Sequence, residues 1–462
     1  MQYINAELEL FIKINKWIKF LLYDMEAKML DAKKMLANLQ DYKERLKNKG
    51  FDLDEKYFVE INEEILNLKK TCELAQAQRN SGSSKIGELI RQNTQEAKDE
   101  VVKIKEQMSV LTEQVKDMEQ LVKEKEAELK NYMMYMPNIY DDATPIGKDD
   151  TENVVVAYYG EKPNFNFTPK QHFEIGESMG IFDFERGAKL SGARFTVMTG
   201  AATLLEMAIK NFLIDTAMEN GFTPVSVPFM VNRNIAEGTG QLPKFEEDMF
   251  KTTNEGKELF LVPTAEVPVT NIYNNEILKE EDLPISYCSL TPCFRVEVGS
   301  AGRDVKGIFR QHQFEKVEMV KFCAKDKSFE EFERLTNSAR RVLEKLGLHF
   351  REVTLCTGDL GFGAHHCHDM EVWLPGQNQY REISSCSNYL DFQARRANIR
   401  YTSKETGKNE FVCTLNGSAM PIGRTMIAII ENYQQEDGSV LIPQALKKYL
   451  PYTKIDANGN LV

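Results

Sequence analysis

Between residues 56 and 132 apolar side chains recur in alternating steps of three and four. In the later part they fall at Val101, Ile104, Met108, Leu111, Val115, Met118, Val122 and Leu129, with Lys125 the one break. In the earlier part Phe58, Ile61, Ile65, Leu68, Cys72, Ala75, Ile86 and Leu89 keep the same phase. Charges flank these positions and no proline interrupts them, which is the seam of a coiled coil. Asn80-Ser81-Gly82-Ser83-Ser84 has the composition of a turn. The phase nevertheless runs through it unshifted, with only Arg79 and Gly82 as poor seam residues. A turn there would also leave a long apolar stripe uncovered on the longer helix. A turn near Arg91 to Gln95 instead gives two helices of similar length, each roughly 55 Å long. The pattern predicts a long antiparallel arm with its tip near residues 92–95 and a weak spot at Gly82.

After the prolines at 137 and 145 the character changes, and residues 136–150 read as a linker. Short strand-like runs follow, at Val154 to Tyr159, Phe195 to Met198, Leu259 to Val262 and Glu371 to Leu374, among Gly and Pro turns and a few amphipathic helices. Strands come mostly in succession, which predicts an α+β domain over 151–462 with an antiparallel sheet flanked by helices. The helical part before it spans 29–135. No GxxxxGK[ST] and no GxGxxG after a strand is present, so neither a P-loop nor a dinucleotide fold is offered.

Composition adds little except by exclusion. At 462 residues, 42% hydrophobic and 28% charged, the chain is globular and longer than one ordinary core requires. Its net charge of −12 gives no overall attraction for nucleic acid, so any RNA must be held by local geometry. The eight cysteines form no CxxC pair, which suits reduced thiols in the cytoplasm. The stretch Phe11 to Tyr23 is interrupted by Lys13, Lys16 and Lys19 and reads as a surface helix rather than a membrane anchor. The first 28 residues carry no Arg and four acids, against an organelle presequence.

Five polar segments of the second half set charged residues among apolar neighbours: Thr264-Ala265-Glu266, Phe294-Arg295-Val296-Glu297, Arg310 to Phe314 running into Lys316-Val317-Glu318, Glu382-Ile383-Ser384-Ser385, and Asn416-Gly417-Ser418 followed by Gly423-Arg424-Thr425. On a strand, residues two apart share a face, so Arg295 pairs with Glu297, Thr264 with Glu266, and Lys316 with Glu318. Charged pairs on a buried face are costly unless they meet each other or a ligand. Any one segment could be a structural ion pair; five in one domain point to a binding site.

These residues resemble a class II aminoacyl-tRNA synthetase, and within the class they are similar to the seryl-tRNA synthetases. Phe294-Arg295-x-Glu297 with the loop to His312-Gln313-Phe314 looks like class motif 2, and Gly423-Arg424-Thr425 opening a helix to Tyr433 looks like motif 3. The helix Ala202 to Glu219 and the strand ending at Pro228 look like motif 1, which implies a homodimer. Gly238 to Phe245, Thr264-Ala265-Glu266 and Glu382 to Asn388 are typical of the serine enzymes, and the arm falls where that family binds tRNA. The resemblance covers roughly residues 30 to 450.

The resemblance implies ATP-dependent activation of L-serine to seryl-adenylate and transfer to tRNA(Ser), with tRNA(Sec) a further acceptor in the family. Serine would be held by Thr264, Ala265, Glu266, Glu318, Asn416 and Ser418, with Glu266 on the amino group and Glu318 and Ser418 on the hydroxyl. ATP would be held by Arg295, Val296, Glu297, Phe314, Glu382, Ile383, Ser384, Ser385 and Arg424. Arg295, Glu382 and Arg424 would be the catalytic set. Arg295 would clamp the α-phosphate, Arg424 the γ-phosphate, Glu297 the adenine amino group, and Phe314 the ring. Glu382 and Ser385 would hold Mg²⁺ by oxygen ligands. A non-catalytic protein keeping the fold is the rival, disfavoured by the presence of the whole set.

Three departures from the family pattern stand out. Val296 and Val298 replace small residues, which reads as a packing change. Pro421 before motif 3 is unusual and would stiffen the turn presenting Arg424. Ala364-His365-His366-Cys367-His368 replaces a stretch that often carries a lysine. Adjacent strand residues point to opposite faces, so no zinc is expected there. Residues 1–28 match nothing in the family, and Met29-Leu30-Asp31 looks like its usual start.

Overall fold

The computed structural model describes residues 30–298, 302, 304 and 306–462. The expected surface helix over Phe11 to Tyr23 and the expected family start at Met29 lie outside them. The chain divides into two units: one runs to Lys47 and resumes over Phe51–Met136, the other joins Asn48–Gly50 to Pro137–Val462.

The first unit is helical, with α1 (Ala32–Ala37), α2 (Leu39–Asn48), α3 (Glu55–Gln92) and α4 (Gln95–Met134). Asp54 caps α3 by accepting from Tyr57 N at 2.9 Å. Asn93, left-handed at φ 50°, ends α3, and Thr94 starts α4 by accepting from Ala97 N. The turn therefore lies at 93–94. Leu89 packs with Ala97, Val101 and Ile104, and Cys72 and Ala75 pack with Val115, so the two helices bury one seam between them. Lys125, the break in the apolar pattern, pairs across the seam with Glu64 at 3.1 Å, one turn from a Lys69–Glu126 pair at 2.7 Å. The helix runs unbroken through Gly82, the residue read as its weak spot. A Cβ there would stand 3.2 Å from Met108 Cγ, so the glycine admits a close approach of α4.

The second unit is built on an eight-stranded sheet of β1 (Val154–Tyr159), β2 (Thr223–Pro224), β3 (Ile285–Phe294), β4 (Gln313–Cys323), β5 (Phe350–Thr354), β6 (His366–Leu374), β7 (Gln379–Asn388) and β8 (Cys413–Pro421), in the order β1-β5-β6-β7-β8-β4-β3-β2. Every pairing is antiparallel except β2 with β3. One face is covered by α5 (His172–Ser178), α6 (Ala201–Glu219), α8 (Ser328–Lys345) and α10 (Ile422–Asn432); α7 (Glu266–Thr270) and α9 (Phe392–Ala397) belong to the other side. Leu205, Leu213, Leu335, Val342, Met426 and Ile430 bury against Met319, Met370, Ile383 and Leu415 of the sheet. Each such side chain stabilises the unit by about 1.5–3 kcal/mol. Gly417 at the centre of β8 is needed for this packing, since a Cβ would meet Cys386 Sγ at 2.8 Å and Leu335 at 3.2 Å.

Of residues 136–150, expected as a linker, 137–150 are part of the second unit. Asn138 Nδ2 donates to the carbonyls of Gly363 and Tyr389, both at 2.9 Å, and Asn138, Tyr140 and Thr144 are buried. The piece Asn48–Gly50 is tied to the same region. Lys49 Nζ donates to the carbonyls of Gly361 and Ala364 at 2.9 Å and Phe362 at 3.3 Å. Burial, reinforced by Lys244, pulls its ammonium down to about 7. Among the described residues no helix is long and apolar enough to cross a membrane.

Candidate active site

The site occupies the sheet face turned away from α6, α8 and α10. β4 and β8 are in register there with Glu318 opposite Ser418 and Val320 opposite Asn416. Alternation sends Met319, Leu415 and Ala419 to the helices and Glu318, Asn416 and Ser418 to the site. Ser418 Oγ donates to Glu318 Oε2 at 3.3 Å, and Lys316, two residues along β4, is ion-paired with the same carboxylate. A hydroxyl and a carboxylate side by side on a buried floor suit a ligand that brings a hydroxyl of its own.

Thr264-Ala265-Glu266 is not a strand, as the alternation argument supposed. It opens α7, where Thr264 Oγ1 accepts from Glu266 N at 3.3 Å. Glu266 Oε1 accepts from Gln393 Nε2 of α9 at 2.6 Å. Burial first, and the Glu318 carboxylate second, push the Glu266 carboxyl up to about 7. Thr264, Glu266, Glu318, Asn416 and Ser418 line one cavity of about 430 Å³.

Arg295 and Glu297 converge for a different reason than strand periodicity. β3 ends at Phe294, and Glu297 takes a left-handed φ of 60°. Arg295 holds the return strand through its backbone, donating its N–H to His312 O at 2.9 Å, while His312 Nδ1 lies 3.0 Å from Arg295 O. Its guanidinium stands 5.2 Å from the Phe314 ring, and Arg310 donates to Glu297 Oε2 at 2.6 Å. Arg295, Glu297, Arg310 and Phe314 line a second cavity of about 110 Å³ with Phe309, Glu382, Ser385 and Arg424.

Glu382 and Ser385 come from β7, three residues apart. The pairing of β6 with β7 slips between Met370 and Glu371, leaving Ile383 as the extra residue. Ile383 and Ser384 therefore both turn to the helix side, where Ile383 is in the core and Ser384 Oγ donates to Ser418 O at 2.6 Å. Arg424, in the first turn of α10, donates to Glu382 O at 2.9 Å, sits 3.3 Å from its carboxylate, and stacks 4.4 Å from Phe309. Burial opposes ionisation of Glu382, but Arg424 and then Arg295 hold its carboxyl below the usual range. Pro421 begins α10 at φ −70°.

Of the expected site residues, the side chains of Ala265, Val296, Ile383 and Ser384 do not line these cavities. Ala265 is fully buried under α7, and Val296 is fixed by its own N–H on Asp248 O at 3.0 Å. Three positioning residues carried no signal in sequence. Gln393 reaches Glu266 from 127 positions away. His172 and Glu431 form a buried pair at 3.0 Å, and His172 Nε2 accepts from Ile308 N at 3.1 Å, fixing the loop that carries Phe309. His366 and His368 share a face with Nε2 atoms 3.2 Å apart and do not line these cavities; among the described residues no group of three or more His, Cys, Asp or Glu could hold a metal.

An antiparallel sheet with an arginine at the end of one strand, a second arginine opening the helix after another, and an acid between them defines a class II aminoacyl-tRNA synthetase. The model of the tRNA synthetase class II core domain (G, H, P, S and T) matches residues 249–433, and that of the seryl-tRNA synthetase N-terminal domain matches 29–140. The chain belongs to the seryl-tRNA synthetase family. It is 49% identical to the serine–tRNA ligase of Thermodesulfovibrio yellowstonii over 91% of this chain and 99% of that one. Over 74% of this chain and 80% of the relative, identity with the serine–tRNA ligase of Maridesulfovibrio salexigens is 52%. The crystal structure of seryl-tRNA synthetase from Pyrococcus horikoshii complexed with ATP superposes with a TM-score of 0.86 at 35% identity, covering 93% of this chain and 99% of that one.

Proposed function

We propose that this chain activates serine with ATP and passes it to tRNA(Ser), with the work divided between the two cavities just described. The observation that carries the division is the wall they share: Arg295, Glu297, Arg310, Lys316, Ser385 and Ser418 border both. A carboxylate in the larger cavity and a phosphate in the smaller one would meet at Arg295.

Serine binds in the larger cavity, its ammonium on Glu266 and Thr264 and its hydroxyl on Glu318 and Ser418, with Asn416 beside them. Alanine would leave that buried carboxylate and hydroxyl unsatisfied, the strongest discrimination such a site can make. ATP binds in the smaller cavity. Phe314 supports the adenine ring and Glu297, held by Arg310, accepts from its amino group, while Arg424 meets the terminal phosphates. The serine carboxylate attacks the α-phosphorus and pyrophosphate leaves; Arg295 neutralises the charge that gathers there, so orientation and preorganised charge supply the rate. Glu382 and Ser385, brought to one face by the bulge, are an oxygen donor pair that fits Mg²⁺, which would neutralise phosphate charge when bound.

The paired helices α3 and α4 act as the RNA-binding arm, an assignment supported by their length and by the match of residues 29–140. A homodimer is supported by the exposed stripe Leu204, Met207 and Met218 on α6, unusual for a helix otherwise buried. All eight cysteines are free, which favours the cytoplasm.

ATP–pyrophosphate exchange with a panel of amino acids tests the reading. Exchange with serine alone, lost in Arg295→Ala, is the expected result. Absence of exchange from the folded wild-type protein with every amino acid would overturn it.

A further inference from the structure

Among the described residues Lys316 is the one lysine that lines the serine or the nucleotide cavity, and it lines both. Its side chain is 8% exposed, and its ammonium sits on Glu318 Oε2, the same oxygen that Ser418 Oγ meets at 3.3 Å. Alternation along β4 puts it on the site face, two residues before Glu318.

The opposite strand makes room for that ammonium. Asn416 and Ser418 face the site from β8, and a regular strand would send Met420 after them. Instead β8 carries one extra residue where the pairing passes from Glu318–Ser418 to Lys316–Pro421. Met420, at φ 103°, turns into the helix-side core. A methionine holds such a φ only where the surrounding fold enforces it.

The charges explain why a lysine belongs there. Two carboxyl groups of the larger cavity, Glu266 and Glu318, are assigned to serine, which brings one ammonium. Arg310 is committed to Glu297, and Arg295 serves the substrate carboxylate and the α-phosphate. Without a further cation Glu318 would face the ligand uncompensated, and its best occupant would be a side chain with an ammonium of its own. Lys316 supplies that positive charge from the protein. Its field also reaches Glu266, where burial and Glu318 push the carboxyl up and Gln393 and Lys316 oppose them.

We infer that Lys316 is a specificity-determining residue, which makes the Glu318 subsite accept a neutral hydroxyl and reject an ammonium. The inference rests on the proposed function. Lys316 acts through Glu318 rather than on the reacting atoms. With its charge in place, the carboxylate takes a hydrogen bond from the serine hydroxyl. Diaminopropionate, the serine analogue with an ammonium in place of that hydroxyl, would bring a second cation against Lys316.

The test is ATP–pyrophosphate exchange with serine and with diaminopropionate, in wild type, Lys316→Met and Lys316→Arg, read as the ratio of the two kcat/KM values. Wild type should prefer serine by about 10²-fold or more, and Lys316→Arg, which keeps the charge, should hold that preference. Lys316→Met is expected to lower the ratio by about 10²-fold. Its kcat/KM for diaminopropionate should rise above that of wild type, a gain that damage to the fold cannot give. An unchanged ratio in Lys316→Met, an equal fall in Lys316→Arg, or a wild type that uses both amino acids alike overturns the inference. Should Lys316→Met fail to fold, Lys316→Gln decides by the same ratio. Lack of serine-dependent exchange in wild type is a separate result, which removes the proposed function itself.

Discussion

Glu382 and Ser385 lie three residues apart on one strand and still share a face, because Ile383 is the extra residue of a bulge. A regular strand would send one of them into the helix-side core. The bulge thus builds an acid–hydroxyl pair beside Arg424, whose guanidinium is 3.3 Å from the Glu382 carboxylate. Glu382→Gln keeps the shape and removes the charge. Serine-dependent pyrophosphate exchange should fall by about 10²-fold, and the Mg²⁺ concentration for half-maximal rate should rise. An unchanged rate and an unchanged Mg²⁺ requirement would remove Glu382 from the phosphate site.

Glu266 predicts a pH dependence for serine. In the empty site burial and Glu318 raise its carboxyl from 4.5 to about 7. An ammonium ligand needs the ionised form, so the KM for serine in exchange should fall as pH rises through 7 and level off near 8. At pH 6 it should be about tenfold above the plateau. The empty fold should show the opposite trend, losing stability as pH climbs from 4.5 to 7, because the folded state holds that proton more tightly than the unfolded one. Glu266→Gln should flatten both profiles and raise KM throughout.

His172 is expected to matter for ATP without touching it. Its Nε2 accepts from Ile308 N at 3.1 Å, and Gly307 lies so near that a Cβ would meet the ring. His172→Ala leaves the Ile308 N–H and the buried Glu431 carboxylate short of a partner, at a cost of about 3 kcal/mol in stability. The KM for ATP should rise several-fold more than that for serine. Equal effects on both substrates in exchange kinetics would reduce the residue to a structural one.

His366 on β6 makes the fold sensitive to acid, the opposite direction from Glu266. Burial, then the adjacent His368, lower His366 from 6.5 to about 4. A depressed imidazole contributes stability above pH 6.5 that is lost as pH falls from there toward 4, on the order of 2 kcal/mol. Urea unfolding at pH 7 and pH 4.5 should show the loss in wild type and a smaller one in His366→Asn.

Much of this was legible in the sequence where periodicity and position agree. The heptad phase put the turn past Gly82, and the helices do part at Asn93 and Thr94. β4 and β8 obey alternation, so Glu318 and Ser418 could be read onto one face. Elsewhere the right residues converge for reasons that a period of two does not carry: a left-handed backbone at Glu297, a helix start at Glu266 and a bulge at Ile383. Period arguments fail at such irregularities, which is where this chain concentrates its polar groups. The partners of those groups were illegible for another reason. Gln393 meets Glu266, and Glu431 meets His172 at 259 positions' distance, pairings that only the closed fold creates.

Lys49 gives the sheet-bearing unit an unusual relation to the cutting of the chain. Its ammonium closes on the carbonyls of Gly361, Phe362 and Ala364, although 86 residues of other structure separate Gly50 from Pro137 along the backbone. A protease nick within 51–136 severs the helical arm's continuity yet leaves that cation seated. A fragment beginning at Pro137 arrives without it, and the loop bearing Phe362 must find other donors for three carbonyl oxygens. Nicked and truncated proteins, identical in every residue of the sheet, are therefore different objects, and only the nicked one reports what the arm by itself contributes.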